Sequence, residues 1–165
     1  MSQRLLLRLP FNMSQLATMK NKFLFLFLIL IMTGCAMGPK VEWEPYTTAR
    51  FNEAVQSGKP VITDFYAAWC GPCMIMKETT FRDPRIIQAL DPFIRLKADM
   101  SYSESKAVQE IAGRHHISGL PTVVLFDSSG KEVTRFGFTR PNDLLATLQK
   151  FRNELKLPNG TKKVQ

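Results

Sequence analysis

Two closely spaced cysteines are the residues of this chain best suited to chemistry. Cys70 and Cys73 stand on either side of Gly71 and Pro72, in the stretch TDFYAAWCGPC. A pair with this spacing can hold a metal ion, cross-link the fold, or exchange electrons as a dithiol and a disulfide. Features elsewhere in the chain distinguish among these three kinds of chemistry.

The cysteine count argues against a metal site and against a structural cross-link. The chain has three cysteines, and a bridge between Cys70 and Cys73 closes too short a loop to stabilise a fold much. A zinc site needs about four ligands, and no second CxxC follows. His115 and His116 are adjacent, so their side chains point in different directions and do not suit one metal ion. We expect both to be solvated residues of a loop or a helix end. We therefore predict electron exchange, with no metal and no cofactor.

The N-terminal region has the pattern of a targeting segment. The stretch MKNKFLFLFLILIMTGC covers residues 19–35 and places two lysines before an apolar run at 23–32. Such a run is shorter than the roughly 20 apolar residues that span a bilayer, and it matches the apolar core of a signal peptide. Met19 begins a conventional signal by itself, so we expect the natural start there. We predict that residues 1–34 are a signal segment.

The third cysteine lies at the end of that segment. Met32-Thr33-Gly34-Cys35 resembles the lipobox of bacterial lipoproteins, in which the cysteine is lipidated and becomes the first residue. We predict that Cys35 carries lipid and anchors the chain to a bilayer, and that residues 35–45 are a tether. Ala36 in the next position favours the outer membrane. The alternative is an uncleaved hydrophobic anchor in which Cys35 is buried.

Composition indicates one globular domain with a leader. The chain has 165 residues, of which 45% are hydrophobic and 22% charged, a profile typical of globular domains. Its net charge is +8, but four basic residues precede position 35, and the remaining 18 basic and 14 acidic residues leave about +4. No dense basic run is interleaved with aromatic residues, so we predict no nucleic-acid partner.

Alternating apolar runs and amphipathic segments predict the elements that must position the cysteines. In chain order, we predict a short strand at 41–43, a helix at 48–56, a strand at 61–68, helices at 70–80 and 84–90, a strand at 93–98, a helix at 103–114, strands at 122–126 and 131–138, and a helix from Pro141. Strands joined through helices pair in parallel, and the terminal hairpin adds antiparallel strands. The predicted class is therefore α/β, a three-layer sandwich with a mixed central sheet and helices on both faces. This domain covers residues 46–157, and a polar tail follows at 158–165.

In this arrangement Cys70 and Cys73 can exchange a disulfide with a partner protein. Cys70 lies at the start of a helix, where unpaired N–H groups lower a thiol pKa from about 8.5 toward roughly 7 or below. The Cys70 thiolate attacks a partner disulfide, and Cys73, one helical turn further on, resolves the mixed disulfide. Pro72 suits the first helical turn, and Gly71 lets a partner backbone approach closely.

A family resemblance is carried by two motifs. The stretch from Asp64 to Cys73, DFYAAWCGPC, followed by Gly119-Leu120-Pro121-Thr122, resembles thioredoxin over residues 46–156. Within that superfamily, the stretches at 80–84 and 118–122 are most similar to the C-terminal periplasmic domain of the disulfide reductase DsbD. The resemblance implies a thioredoxin-like fold. The DsbD family carries electrons across the inner membrane to periplasmic partners.

The resemblance also implies roles for individual residues, each with a plainer alternative. Pro121 matches a cis-proline that exposes the backbone of Leu120 to a substrate strand; otherwise it only begins a strand. Asp64 matches a buried acid that accepts the proton of Cys73; otherwise it is a salt-bridged acid at a strand end. Trp69 shapes the docking surface; otherwise it is partial core. The expected substrate-binding residues are Trp69, Gly71, Pro72, Leu120 and Pro121.

Three departures from the DsbD pattern refine the function. Gly71-Pro72 is the dipeptide of reducing thioredoxins, and Lys77 stands where a second acid is expected. The sequence also contains no multi-helix membrane module, so we expect a membrane donor of the DsbD or CcdA type to supply electrons.

We therefore predict an exported, membrane-tethered protein-disulfide reductase at the periplasmic face of a bacterial membrane, acting on disulfide-containing exported proteins. The alternatives are a disulfide oxidase or isomerase, a reductant of apocytochrome c, and a non-catalytic binding or chaperone lipoprotein.

Overall fold

A computed structural model describes residues 38–154 of the chain. The signal segment, the lipidation of Cys35 and the polar tail were all predicted for residues outside this range. The elements are β1 (Glu44–Pro45), α1 (Thr48–Gln56), β2 (Val61–Tyr66), α2 (Gly71–Glu78), a 3-10 turn (Thr80–Arg82), α3 (Pro84–Ala89), β3 (Ile94–Asp99), α4 (Lys106–His115), β4 (Thr122–Phe126), β5 (Glu132–Phe136) and α5 (Pro141–Glu154). Between residues 38 and 154, every helix is too short or too polar to cross a membrane.

The five strands form one mixed sheet in the order β1-β3-β2-β4-β5. β1 and β2 both pair in parallel with β3, and β4 pairs antiparallel with β2 and with β5. The β4–β5 hairpin closes on Asp127, whose Oδ1 accepts hydrogen bonds from the amides of Ser129 and Lys131. Gly130 completes the turn at φ 81°, a conformation that glycine adopts without strain.

Alternation along the central strands divides the core between the two faces of the sheet. Ile62 of β2 contacts the cluster formed by α2, α3 and α5, whose buried members include Met76, Ile86 and Leu148. Val61 and Phe65 point the other way, into the cluster beneath α1 and α4. The predicted three-layer α/β sandwich, with a mixed sheet and helices on both faces, is confirmed.

Side-chain caps explain where three of the helices begin. The Thr47 hydroxyl accepts from the Arg50 amide at 3.0 Å, and α1 starts at residue 48 as predicted. Asp83 precedes α3 and accepts from the Arg85 amide at 2.9 Å. Ser105 caps α4, so that helix begins three residues later than the predicted start at 103. In each case the cap satisfies an amide that lacks a partner within its helix.

Two predictions for residues 41–45 are wrong. Residues 41–43 do not form a strand, and the tether does not extend to residue 45. The Val41 amide donates to the Phe81 carbonyl at 2.9 Å, and the Val41 side chain is buried in the core. The short strand is instead Glu44–Pro45, paired with β3. Burial of one branched apolar side chain therefore incorporates residues 41–45 into the domain.

The expectation that both adjacent histidines are solvated is wrong for His115. His115 is buried, and its Nε2 shares a 2.6 Å hydrogen bond with the Tyr46 hydroxyl. The rings of Phe51, Phe65 and Phe126 pack around it. Burial, together with the charges of nearby arginines, lowers the pKa of His115 to about 4.

This burial predicts a loss of stability in acid. The unfolded chain protonates His115 near the ordinary pKa of about 6.5, whereas the folded protein resists protonation until about 4. The free energy of unfolding therefore falls between pH 6.5 and 4 by about 3 kcal/mol from this group, and the group contributes no pH dependence above that window. Denaturant unfolding of His115→Gln should lack this contribution.

The neighbouring histidine provides the matched control. His116 is exposed and ends α4 with a left-handed backbone at φ 50°, which asparagine tolerates. His116→Asn should retain the pH dependence of the natural protein. The assignment to His115 is contradicted if the two variants lose stability in acid equally.

Candidate active site

The two cysteines of the CxxC motif form a disulfide at the start of α2. Cys70 is the N-cap residue, and its Sγ accepts a hydrogen bond from the Cys73 amide at 3.2 Å. Each cysteine is 5% exposed. Pro72 stands in the first helical turn, as predicted, where it has no amide to leave unpaired. The helix N-terminus thus directs the Cys73 amide toward the Cys70 sulfur.

The loop before β4 lies beside the disulfide. The Leu120–Pro121 peptide bond is cis, which confirms the predicted conformation. Leu120 is partly buried and packs against the cluster formed by Ala67, Cys70 and Cys73. The Thr122 hydroxyl donates to the Gly119 carbonyl at 2.7 Å and fixes the turn. Residues 120 and 121 are therefore brought together with the cysteine pair.

Exposed aromatic side chains surround this junction. Trp69 is 67% exposed, so it is not partial core, and its Nε1 donates to the Ser101 carbonyl at 3.1 Å. Tyr102 follows directly and is 76% exposed. Phe138 is 48% exposed, one residue after Gly137, which lies close to the Pro121 carbonyl. We call these three exposed aromatic side chains the cysteine rim, since Trp69 precedes Cys70 and the other two follow residues close to Trp69 or Pro121.

Two further members of the predicted binding surface are open to solvent. Gly71 and Pro72 are both exposed, and a Cβ placed on Gly71 would meet nothing within 4 Å. Space above Gly71 is therefore available to an approaching chain. The sequence did not predict Tyr102, because its position depends on the bond between Trp69 and the loop after β3.

Asp64 lies on the face of β2 that α2 covers. On that face Ile62 packs in the cluster with Met76, and Tyr66 packs against the cysteine pair; Asp64 stands between them. Its side chain is almost fully buried, and its Oδ2 is 2.9 Å from the Lys97 Nζ. Burial raises the pKa of the Asp64 carboxyl, and the charge and hydrogen bond of Lys97 partly oppose that effect.

Lys97 is the residue of this site that the sequence left unassigned. Asp64 and Lys97 are register partners on the parallel strands β2 and β3. The Lys97 Nζ lies 4.3 Å from the centre of the Tyr66 ring and 5.5 Å from that of Trp43, within the range of cation–π attraction. The sequence signal for this role is a lysine between Leu96 and Ala98, two buried residues of β3.

Lys77, in the position where a second acid was expected, is exposed. Its Nζ is 3.9 Å from a carboxylate oxygen of Glu78. Asp64 is thus the buried carboxyl group beneath α2. Within residues 38–154, no group of three or more His, Cys, Asp or Glu side chains is arranged to hold a metal ion.

A CxxC disulfide that caps a helix beside a cis-proline, in this sheet order, supports a thiol-disulfide oxidoreductase. A family model described as a thioredoxin-like domain matches residues 48–152. The chain belongs to the thioredoxin-like domain family.

Curated relatives agree with the sequence resemblance. The thiol:disulfide interchange protein DsbD of Salmonella paratyphi A is 39% identical over 90 residues, which are 52% of this chain and 15% of the relative. DsbD of Vibrio vulnificus is 33% identical over 103 residues, 61% of this chain and 17% of the relative. The chain thus spans about a sixth of the length of these relatives.

Solved structures show the same likeness. The oxidised C-terminal domain of Neisseria meningitidis DsbD matches with a TM-score of 0.54 and 25% identity, over 62% of this chain and 90% of that domain. Trxlp from Edwardsiella tarda matches with a TM-score of 0.53 and 25% identity, over 65% and 98% of the two chains. The resemblance to the DsbD C-terminal domain is confirmed.

The raised pKa of Asp64 predicts the effect of its replacement on stability. Between the ordinary and the raised pKa, the folded protein keeps a proton that the unfolded chain releases, so stability falls as pH rises through this interval. Asp64→Asn removes the cost of the buried charge. Unfolding of the oxidised protein in urea should show the variant to be more stable than the natural protein above the raised pKa, with the difference shrinking as pH falls.

Asp99 provides a control in which the pKa shift has the opposite direction. Burial raises the pKa of Asp99, but hydrogen bonds from the Ser101 side chain and backbone outweigh it and lower that pKa. Asp99→Asn should therefore destabilise the protein at neutral pH. If Asp64→Asn were also destabilising at pH 8, the ion pair with Lys97 would outweigh the burial of the carboxylate.

Proposed function

We propose that this protein reduces disulfides in exported proteins by exchange through Cys70 and Cys73. The observation that supports this most strongly is the capping contact of the Cys70 Sγ at the start of α2. Beside it lies the cis peptide bond at Pro121. Amides at the helix start favour the thiolate form of Cys70. The backbone next to a cis-proline is available to pair with an extended substrate segment.

The reduced protein acts in two balanced steps. The Cys70 thiolate attacks one sulfur of a substrate disulfide, forms a mixed disulfide, and expels the other substrate sulfur as a thiolate. The Cys73 sulfur then attacks Cys70 and restores the Cys70–Cys73 disulfide, which releases the second substrate thiolate. Two electrons pass to the substrate, and each of its sulfurs ends with a proton.

Asp64 handles the proton of the second step. Cys73 must lose its proton before it attacks, and the Asp64 carboxylate lies on the strand face beneath α2. Because burial raises the pKa of Asp64, the carboxyl group can hold this proton at a pH where an exposed aspartate would release it. The proton then passes to the departing substrate thiolate or to solvent.

The dipeptide between the cysteines favours the reducing direction, as in thioredoxins. Each catalytic cycle leaves the protein oxidised, so a reductant must restore the dithiol. Relatives of this chain include the thiol:disulfide interchange proteins DsbD, and a membrane donor of the DsbD or CcdA type is the corresponding electron source. Trp69, Gly71, Pro72, Leu120 and Pro121 bind the partners.

The site works at the periplasmic face of a bacterial membrane. Residues 1–34 direct export, with Met19 as the natural start, and lipid on Cys35 retains the domain at the bilayer, with the outer membrane favoured. The position suits a reductase that meets exported proteins after they leave the cytoplasm. Disulfides form and persist in that oxidising compartment.

Trapping tests the exchange mechanism. Cys73→Ser in the full chain removes the resolving sulfur, so mixed disulfides should accumulate on Cys70. Non-reducing gels of cells that express the variant should show adducts that disappear with dithiothreitol, and mass spectrometry should identify substrates and the electron donor. Insulin-disulfide reduction by the purified protein should fall to background in Cys70→Ser.

The double variant Cys70→Ser/Cys73→Ser is the matched control and should form no adducts. Absence of adducts from Cys73→Ser as well would overturn the exchange mechanism. Reduction of insulin that survives in Cys70→Ser would assign the nucleophile to another sulfur. Normal function of the double variant in cells would favour a binding or chaperone role.

A further inference from the structure

The segment that enters the domain is fastened over the buried ion pair. We call residues 41–46 the strap. At one end the Val41 amide donates to the Phe81 carbonyl at 2.9 Å, and at the other the Tyr46 amide donates to the Lys97 carbonyl at 2.8 Å. Between these bonds, residues 44 and 45 pair with β3. The strap therefore links the end of the α2 region to the strand that carries Lys97.

The strap brings one aromatic side chain to the ion pair. The Trp43 ring meets the Phe81 ring edge to face, with centroids 5.0 Å apart. The Lys97 Nζ is 5.5 Å from the centre of the Trp43 ring and 4.3 Å from that of Tyr66. The ammonium group thus contacts an aromatic ring on each of two elements while its Nζ stays 2.9 Å from Asp64.

A pocket connects this arrangement to solvent. Its volume is about 210 Å³, and Lys97 and Trp43 both line it. Phe81 forms part of the same wall, so the edge-to-face pair of aromatic rings bounds the space next to the ammonium group. Water that enters the pocket reaches Lys97, which contacts the otherwise buried Asp64. The size and position of the Trp43 ring therefore limit how much water approaches the ion pair.

We propose that Trp43 is a positioning residue for the proton transfer at Asp64. Its ring covers the ion pair on the Lys97 side and limits the water that approaches the carboxylate. This inference rests on the proposed role of Asp64 and adds the strap as the element that sets its acidity. Trp43 acts through Lys97 and not on a reacting sulfur.

Charged and titratable groups from each surrounding element contribute to the same environment. They are Lys97 from β3, Tyr66 from β2, Lys77 from α2, Arg82 from the 3-10 turn, and Lys40 and Glu42 next to Trp43. Burial is the largest cause of the raised pKa of Asp64. Removal of the Trp43 ring admits water, and water favours the carboxylate. The pKa of Asp64 should therefore fall in Trp43→Ala.

Carboxyl-carbon NMR titration of the oxidised full chain tests this directly. The Asp64 resonance should titrate at lower pH in Trp43→Ala than in the natural protein. Trp43→Phe keeps a ring against Phe81 and should restore most of the natural midpoint. Lys97→Met removes the cation and should move the midpoint the opposite way, to higher pH. If Trp43→Ala does not fold, Trp43→Gln is measured instead, with the same downward shift expected.

Tyr102→Ala is the control, because it removes an exposed aromatic ring from the cysteine rim and leaves the strap intact. Its Asp64 midpoint should match that of the natural protein. An unchanged Asp64 midpoint in Trp43→Ala or Trp43→Gln overturns the proposal, as does a shift of equal size in Tyr102→Ala.

Kinetic measurements distinguish the effect of Trp43 on the pKa of Asp64 from its effect on disulfide exchange. The pH dependence of mixed-disulfide resolution should move with the Asp64 midpoint in Trp43→Ala. A shifted midpoint with an unmoved pH–rate profile would contradict the catalytic part of the proposal. If the natural protein exchanged no disulfides, the proposed function would fail, and the NMR titration would still decide whether Trp43 positions the ion pair.

Discussion

A carboxylate in the middle strand of the sheet is the constraint to which the rest of the site conforms. Asp64 lies on β2, with β3 on one side and β4 on the other, and its side chain is 4% exposed. An isolated buried charge is costly, and a buried ion pair of this kind contributes little net stability. The proposed proton transfer from Cys73 therefore gives this carboxyl group a role that folding stability does not supply.

The elements around Asp64 each meet one requirement of that chemistry. Parallel pairing of β2 and β3 places Lys97 directly across from Asp64, and the strap brings the centre of the Trp43 ring to within 5.5 Å of the Lys97 Nζ. Above the strand, α2 begins at the disulfide and presents its amides to Cys70. The cis-proline loop and the loop after β3 complete a rim of exposed aromatic side chains. The sheet thus holds a buried carboxyl group on the face that α2 covers, and α2 begins at the disulfide.

Local sequence patterns predict the helices and strands that form the site. They do not predict contacts between segments that are distant in the chain. Pro72 after Cys70 predicts a helix that starts at the cysteine pair, because proline suits the first turn. The Asp64–Lys97 pair depends on the register of two strands separated by two helices, which residue spacing does not specify. His115 was misassigned because its burial depends on Tyr46, which is 69 residues away. Residues 41–45 resemble a tether in the sequence because the partner of the Val41 amide, the Phe81 carbonyl, lies far along the chain.

The equilibrium reduction potential of the Cys70–Cys73 pair distinguishes a protein that reduces disulfides from one that makes them. It can be measured on the full chain by equilibration with defined ratios of reduced and oxidised dithiothreitol or glutathione. A reductase of the thioredoxin type should give a value near about −270 mV, whereas strong oxidants of this fold lie near about −120 mV. A value above about −150 mV would contradict the account and favour a protein that makes disulfides in its partners.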